Sequence, residues 1–339
     1  MHKFRNDYCE VAHEAVLAAL LENKEQQFVG YGLDEHSLNA SKMIKDMFNC
    51  PNADVHFLVG GTQTNLTFIS YVLKDYEATV AVKTGHINVH ETGAVEATGH
   101  KIYTVDGRDG KISVDDIEKV IKYHSDEHMV KPKLVYISNS TEIGTIYSKS
   151  EIEAIYNYCK DNGLYLFVDG ARLACALMSD DNDLTSQDLA KNCDAFYLGG
   201  TKNGLMFGEA LVITNKDLQA DFRYQIKNKG AMLAKGFISG IQFEAILKDN
   251  LYFKIAKNAN NMAKLLYEKL VSLKLDVDPV YTNQLFVKVN NSLANKIIEA
   301  FGCELWSKQG GYSVVRFVTS FNTKIEDIDE VYNYLKHIK

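Results

Sequence analysis

The chain has 339 residues, 46% apolar and 24% charged, an ordinary make-up for a globular enzyme able to bury one large core and a smaller one. Its net charge of −7 argues against nucleic acid or an anionic membrane surface as the main partner, and no apolar run nears the roughly 20 residues that span a bilayer. The opening Met1-His2-Lys3-Phe4-Arg5-Asn6-Asp7 lacks the basic-then-apolar build of a signal peptide, so a cytoplasmic location is expected. Six cysteines stand singly, with no Cys-x-x-Cys spacing; they read as reduced structural residues, and no metal site is expected. The three prolines favour long regular elements, and no internal repeat is visible.

After Phe4-Arg5-Asn6-Asp7-Tyr8, the positions Val11, Ala15, Val16, Ala19 and Leu20 fall on one helical face. Residues 55–59 predict a strand that opens into Gly60-Gly61-Thr62-Gln63-Thr64-Asn65, with a helix over 66–73. Two glycines let backbone approach an anion, and a helix's first amides with a threonine hydroxyl can hold phosphate, although the same pair also serves as turn chemistry. His86 and His90 are four apart, a spacing that suits a metal, but no third ligand is evident and the metal reading is rejected. A core strand over 133–137 runs into Ser138-Asn139-Ser140-Thr141, and a helix over 151–161 leads to the next strand, 164–168. This alternation predicts an α/β fold, a mostly parallel sheet with helices on both faces.

Residues 222–229 are rich in lysine and arginine, as solvated faces usually are, and an apolar helix follows over 238–247. A long helix over 252–273 then opens a second unit with strands over 285–289, 303–306 and 313–318 and helices over 293–301 and 325–338. The predicted division is thus a large domain over 1–249 and a small C-terminal α+β domain over 250–339. Arg316 alternates with Val315 and Phe317 and points away from their face; a strand arginine needs a partner, and a carboxylate taken bidentately is the natural one.

The chemistry concentrates between 164 and 208. The apolar run 164–168 stops at Asp169-Gly170-Ala171-Arg172, and the run 195–198 breaks into Gly199-Gly200-Thr201-Lys202-Asn203-Gly204 before the strand pattern resumes at 210–213. A lysine in a small-residue turn between buried strands is desolvated, which lowers its pKa and equips it to act as an imine-forming amine. A buried carboxylate is what keeps the pyridine nitrogen of pyridoxal phosphate protonated. Lys202 and Asp169 together therefore point to that cofactor, where either alone would read as a turn or cap residue.

These two motifs resemble the threonine aldolase and beta-eliminating lyase group of fold-type I pyridoxal phosphate enzymes, and the likeness extends over nearly the whole chain. The resemblance implies that Lys202, Asp169 and His86 are catalytic, with His86 of the His-Ile-x-x-x-Glu pattern (Glu91 matching) stacked on the cofactor ring. It implies cofactor contacts from Gly60, Gly61, Thr62, Thr201 and Arg172, and a basic residue of a neighbouring subunit, Lys227 or Lys229, on the phosphate. Within segment 1–40, Asn6 and Asp7 are expected to reach the substrate, as is Tyr31 of Tyr31-Gly32-Leu33-Asp34, whose continuation Glu35-His36 departs from the family's Pro-Thr; Arg172 and Arg316 are expected to grip its carboxylate. A homo-oligomer, a dimer of dimers, is implied as well. Where many threonine aldolases carry Asn-Thr-His, this chain has Asn139-Ser140-Thr141, which removes the usual proton-transfer histidine.

The expected activity is cleavage of a β-hydroxy amino acid such as threonine or allo-threonine to glycine and acetaldehyde. Beta-elimination uses the same parts, and fold and cofactor motifs do not separate the two. A non-catalytic ligand-binding relative has no need for an imine-forming lysine, and Gly60-Gly61-Thr62 does not fit the Gly-x-Gly-x-x-Gly of a nicotinamide-binding enzyme.

Overall fold

Residues 3–338 are described in a computed structural model. Side-chain alternation along the central strands decides what each residue packs against. Seven strands, β1 (Asp54–Leu58), β2 (Glu77–Val82), β3 (Lys101–Val105), β4 (Lys131–Ser138), β5 (Tyr165–Asp169), β6 (Ala195–Gly199) and β7 (Glu209–Ile213), form one sheet in the order β1-β7-β6-β5-β4-β2-β3. Neighbours from β6 to β3 pair parallel, and β7 runs antiparallel to both β1 and β6. Tyr136, Phe167 and Tyr197 pack on one face of β4, β5 and β6, while Val135, Ile137, Leu166, Val168, Phe196 and Leu198 pack on the other. Because both faces are covered, these strands read as continuous apolar runs.

The helix Gly61–Val72 lays Phe68 and Ile69 on the first face, and the helix Lys149–Asp161 lays Ile152, Ile155 and Cys159 on the second. The first of these helices begins five residues before its expected start at Leu66, because its opening Gly-Thr-Gln-Thr turn is polar and carries no apolar periodicity. Val11, expected on a helical face, is exposed and precedes the helix Glu14–Glu22. Strands β2 and β3 escaped the sequence reading because alanine, threonine and lysine dilute their apolar residues.

A second, antiparallel sheet contains β8 (Asp276–Val277), β9 (Gln284–Asn290), β10 (Glu304–Gln309) and β11 (Tyr312–Val318) in the order β10-β11-β9-β8. The helix Leu251–Ser272 joins the two units: Tyr252, Ile255 and Ala256 enter the large core, whereas Ala263, Leu266 and Leu270 enter the small one. The chain's opening belongs physically to the small unit. Phe4 is buried there between Phe301 and Phe317, and its main chain bonds to Phe301 O and Val318 N at 2.9 and 3.0 Å. That anchor sets where Asp7, three residues on, arrives. Among the described residues, no helix is long and apolar enough to cross a membrane.

Candidate active site

The carboxyl ends of β4, β5 and β6 meet at Asp169. Its Oδ1 accepts from the Tyr197 hydroxyl (2.5 Å) and the Ala171 N–H (3.0 Å), and its Oδ2 accepts from the Tyr136 hydroxyl (2.5 Å) and the Asn65 amide (3.0 Å). Burial alone would raise its pKa. The His86 charge and the two tyrosine hydroxyls outweigh that and hold it below the usual carboxylate value. The Asn65 amide also bonds Glu91, which holds His86 Nδ1 at 2.8 Å, so one network runs from the carboxylate to the imidazole.

Lys202 stands in the turn after β6. A Cβ on Gly199 would lie 2.2 Å from Ala171 O, and one on Gly200 2.5 Å from Gly208 O, so only glycine lets this turn press against the Asp169-Gly170-Ala171 segment. Burial is the chief cause of Lys202's lowered pKa, aided by the Arg172 charge and opposed by Asp7, Asp169 and Glu209. Glu209 opens β7 opposite Gly199 and accepts the Gly200 N–H at 2.9 Å; burial pushes it up to about 8.

The two expected arginines are engaged. Arg172 donates from Nε and one terminal nitrogen to Asp7 at 2.7 and 3.0 Å, and Asn283 supports Asp7 at 2.9 Å. Although burial opposes it, Arg172 together with Lys202 holds the Asp7 carboxyl below its ordinary range. Arg316 donates to Glu304 and, at 3.1 Å, to Gln284, and lies 5.0 Å from the Trp306 ring; its buried Nε has no partner. Thus the fork of Arg172 that was expected to take substrate holds Asp7, while Arg316 spends only two of its five N–H donors on Gln284 and Glu304.

At Gly60, Gly61 and Thr62 the helix Gly61–Val72 starts without a side-chain cap, leaving its first amides open to an anion. A Cβ on Gly61 would come within 3.0 Å of the Tyr197 hydroxyl, which puts this cup beside the Asp169 network. The Thr201 hydroxyl accepts the Gly208 N–H at 3.0 Å.

Asn6, Thr141, Tyr31 and Lys229 are placed differently. The Asn6 side chain accepts from Tyr8 N and Cys9 Sγ, and Asp7 is the residue of that pair that reaches an arginine. Thr141 Oγ1 is tied to Thr145 Oγ1 at 2.7 Å. Tyr31 is exposed, 5.2 Å from Lys227 Nζ, with its carbonyl held by Arg223; among the described residues no contact brings it, or Lys229 beyond the helix Phe222–Asn228, to the Lys202 cluster. Sequence reasoning missed Tyr136, Tyr197, Asn65, Glu209 and Glu142. Buried Glu142 accepts from Ser138 Oγ (2.6 Å) and His86 N (2.9 Å), and burial raises its pKa. A tyrosine two residues from the end of both β4 and β6 was the available signal for the first pair.

The model for the beta-eliminating lyase family matches residues 4–292. The chain belongs to this family. A low-specificity L-threonine aldolase of Pseudomonas aeruginosa is 31% identical over 340 aligned positions, covering 96% of this chain and 94% of that protein. The structure of a Leishmania major threonine aldolase is similar at a TM-score of 0.98 and 44% identity, covering 100% of this chain and 99% of that one. A Thermus thermophilus aspartate aminotransferase shares the fold at a TM-score of 0.70 and 13% identity, covering 98% and 89%. The architecture is fold-type I, and the family's cofactor is pyridoxal phosphate. The residues fit it: an ionised buried carboxylate for a pyridinium, a desolvated lysine for its aldehyde and an uncapped helix start for its phosphate. The tyrosine hydroxyls on Asp169 can rotate to make room for the ring's N–H.

Glu209 gives this family member a testable pH signature. Its pKa rises from 4.5 to about 8 on folding, so its contribution to stability is complete below about pH 4.5 and is lost as pH rises through about 8. Denaturant unfolding across that window should fall less steeply with pH for Glu209→Gln than for the parent; equal slopes would remove Glu209 as the source.

Proposed function

We propose that this enzyme cleaves the Cα–Cβ bond of threonine-type β-hydroxy amino acids, releasing glycine and an aldehyde, acetaldehyde when the substrate is threonine or allo-threonine. The observation that carries this reading is the ionised Asp169 facing the desolvated Lys202, in a chain that a threonine aldolase matches over its full length. Pyridoxal phosphate, when bound, supplies a conjugated ring that takes up the electron pair released at Cα.

The protein's part is holding and orienting. Lys202 would hold the cofactor's aldehyde carbon, and Asp169 would keep the ring nitrogen protonated. Gly60, Gly61, Thr62 and Thr201 would hold the phosphate, and His86, fixed by Glu91 at 2.8 Å, would lie against the ring. Arg316, whose guanidinium has N–H groups uncommitted to Gln284 and Glu304, would take the substrate carboxylate, and Arg172, already neutralised by Asp7, lies close to it. With amine and carboxylate both fixed, the scissile bond is held perpendicular to the ring.

A cytoplasmic homotetramer completes this reading, with Tyr31 and Lys229 of each protomer serving a neighbour's site. It is supported by exposed Leu33 and Leu38, which line one concave surface with Tyr31, apolar area that a second copy would cover. Sedimentation of the holoenzyme should give a tetramer, and a monomer would contradict it.

Borohydride treatment of the holoenzyme followed by peptide mass spectrometry should place the cofactor's mass on the Lys202 peptide; an adduct on another lysine would move the site. L-allo-threonine or L-threonine should yield glycine and acetaldehyde in equal amounts. Ammonia and a keto acid without glycine would show beta-elimination instead.

A further inference from the structure

With Thr141 bonded to Thr145, the position that carries a histidine in many threonine aldolases offers no base here. A base is still required, because the β-hydroxyl must lose its proton as the Cα–Cβ bond breaks. His86 is a poor candidate, since Glu91 holds its Nδ1 and its ring covers the cofactor in the reading above. Glu142 has a free oxygen, but it is buried behind the His86 main chain and Ser138.

His90 ends the short helix His86–Val89, its N–H bonded to His86 O at 2.9 Å. Its ring centroid lies 5.4 Å from that of His86 and 6.2 Å from that of Trp306, and Trp306 in turn lies 5.0 Å from the Arg316 guanidinium. The imidazole therefore sits between the His86 ring and Trp306, which separates it from the Arg316 guanidinium. It is exposed, and no hydrogen bond within the described residues holds either of its ring nitrogens. A substrate held by its amine near Lys202 and its carboxylate at Arg316, both of which act electrostatically on His90, would bring its β-hydroxyl toward this imidazole.

We propose that His90 is the general base that takes the β-hydroxyl proton, an inference that rests on the aldolase reading. One ring nitrogen accepts the proton, and the O–H bonding pair becomes the second C–O bond of the aldehyde. The Cα–Cβ bond breaks and its electron pair passes to Cα, for which bound pyridoxal phosphate would supply the electron sink. A proton then adds to Cα to give glycine, and His90 returns its own to solvent. The surroundings suit the role. Partial burial first, then the charges of His86, Arg316 and Lys202, lower the pKa of His90 against the opposing Glu304, which favours the neutral, proton-accepting ring near neutral pH.

The test compares parent and His90→Asn holoenzymes in three measurements: cleavage of L-allo-threonine, exchange of the glycine α-proton in deuterated water, and glycine affinity read from the cofactor's visible absorbance. Exchange needs no β-hydroxyl base. The expected result is a loss of about 100-fold or more in kcat for cleavage, loss of the acidic limb of the kcat/KM profile, and exchange and glycine affinity within about twofold of the parent. The unchanged glycine affinity also reports an intact fold. Cleavage near the parental rate, or cleavage and exchange falling together, would overturn the proposal. Failure of the aldolase reading has a different signature: a parent holoenzyme that neither exchanges glycine nor cleaves the hydroxy amino acid, which overturns both.

Discussion

The site depends on a carboxylate that stays ionised after it has lost its water. Asp169 is 3% exposed, and an unpaired charge there would take up a proton rather than remain charged. Four donors from four parts of the chain prevent this: two strand tyrosines, a helix asparagine and a turn amide. Tyr136 and Tyr197 can meet it only if β4, β5 and β6 hold the register that pairs Ser138 with Asp169 and Phe167 with Ala195. A slip of one residue in either neighbour would turn its tyrosine to the opposite face. The sheet's packing and the site's chemistry are in this sense one constraint.

Around that carboxylate the structure balances the charges it has desolvated. Arg172 and Lys202 face Asp7, and Arg316 faces Glu304, so the balance is drawn from both units. Asp7 comes from a segment anchored by Phe4 in the small core, whereas Arg172 follows the central strand of the large one. Removing one partner of such a buried pair costs about 3–5 kcal/mol, because the other charge stays behind. The Asp7 to Arg172 pair therefore ties the position of the small unit, and of Arg316 within it, to the strand that carries Asp169.

Much of this was legible in the sequence where one strand or turn carried the whole signal. The apolar run ending at Asp169, the glycines around Lys202, the glycine pair before an apolar helix and the odd residue Arg316 in its strand are local patterns. What stayed hidden depends on residues that meet only through the fold. Asp7 and Arg172 are 165 positions apart, and Asn65 and Asp169 are 104 apart. Glu209 lies just before the predicted strand 210–213, and only antiparallel pairing with Gly199 puts it beside the lysine turn. His90 offers the sequence only its four-residue spacing from His86, a metal reading that fails for want of a third ligand, because its proximity to Trp306 is visible only in the fold.

The central claim is that Asp169 remains charged in the interior so that the cofactor's ring nitrogen carries a proton. Nitrogen NMR of the holoenzyme loaded with pyridine-15N pyridoxal phosphate tests it directly. A protonated-pyridine shift near neutral pH that moves to the neutral-pyridine position in Asp169→Asn is the predicted result. A neutral-pyridine shift in the parent enzyme would contradict it.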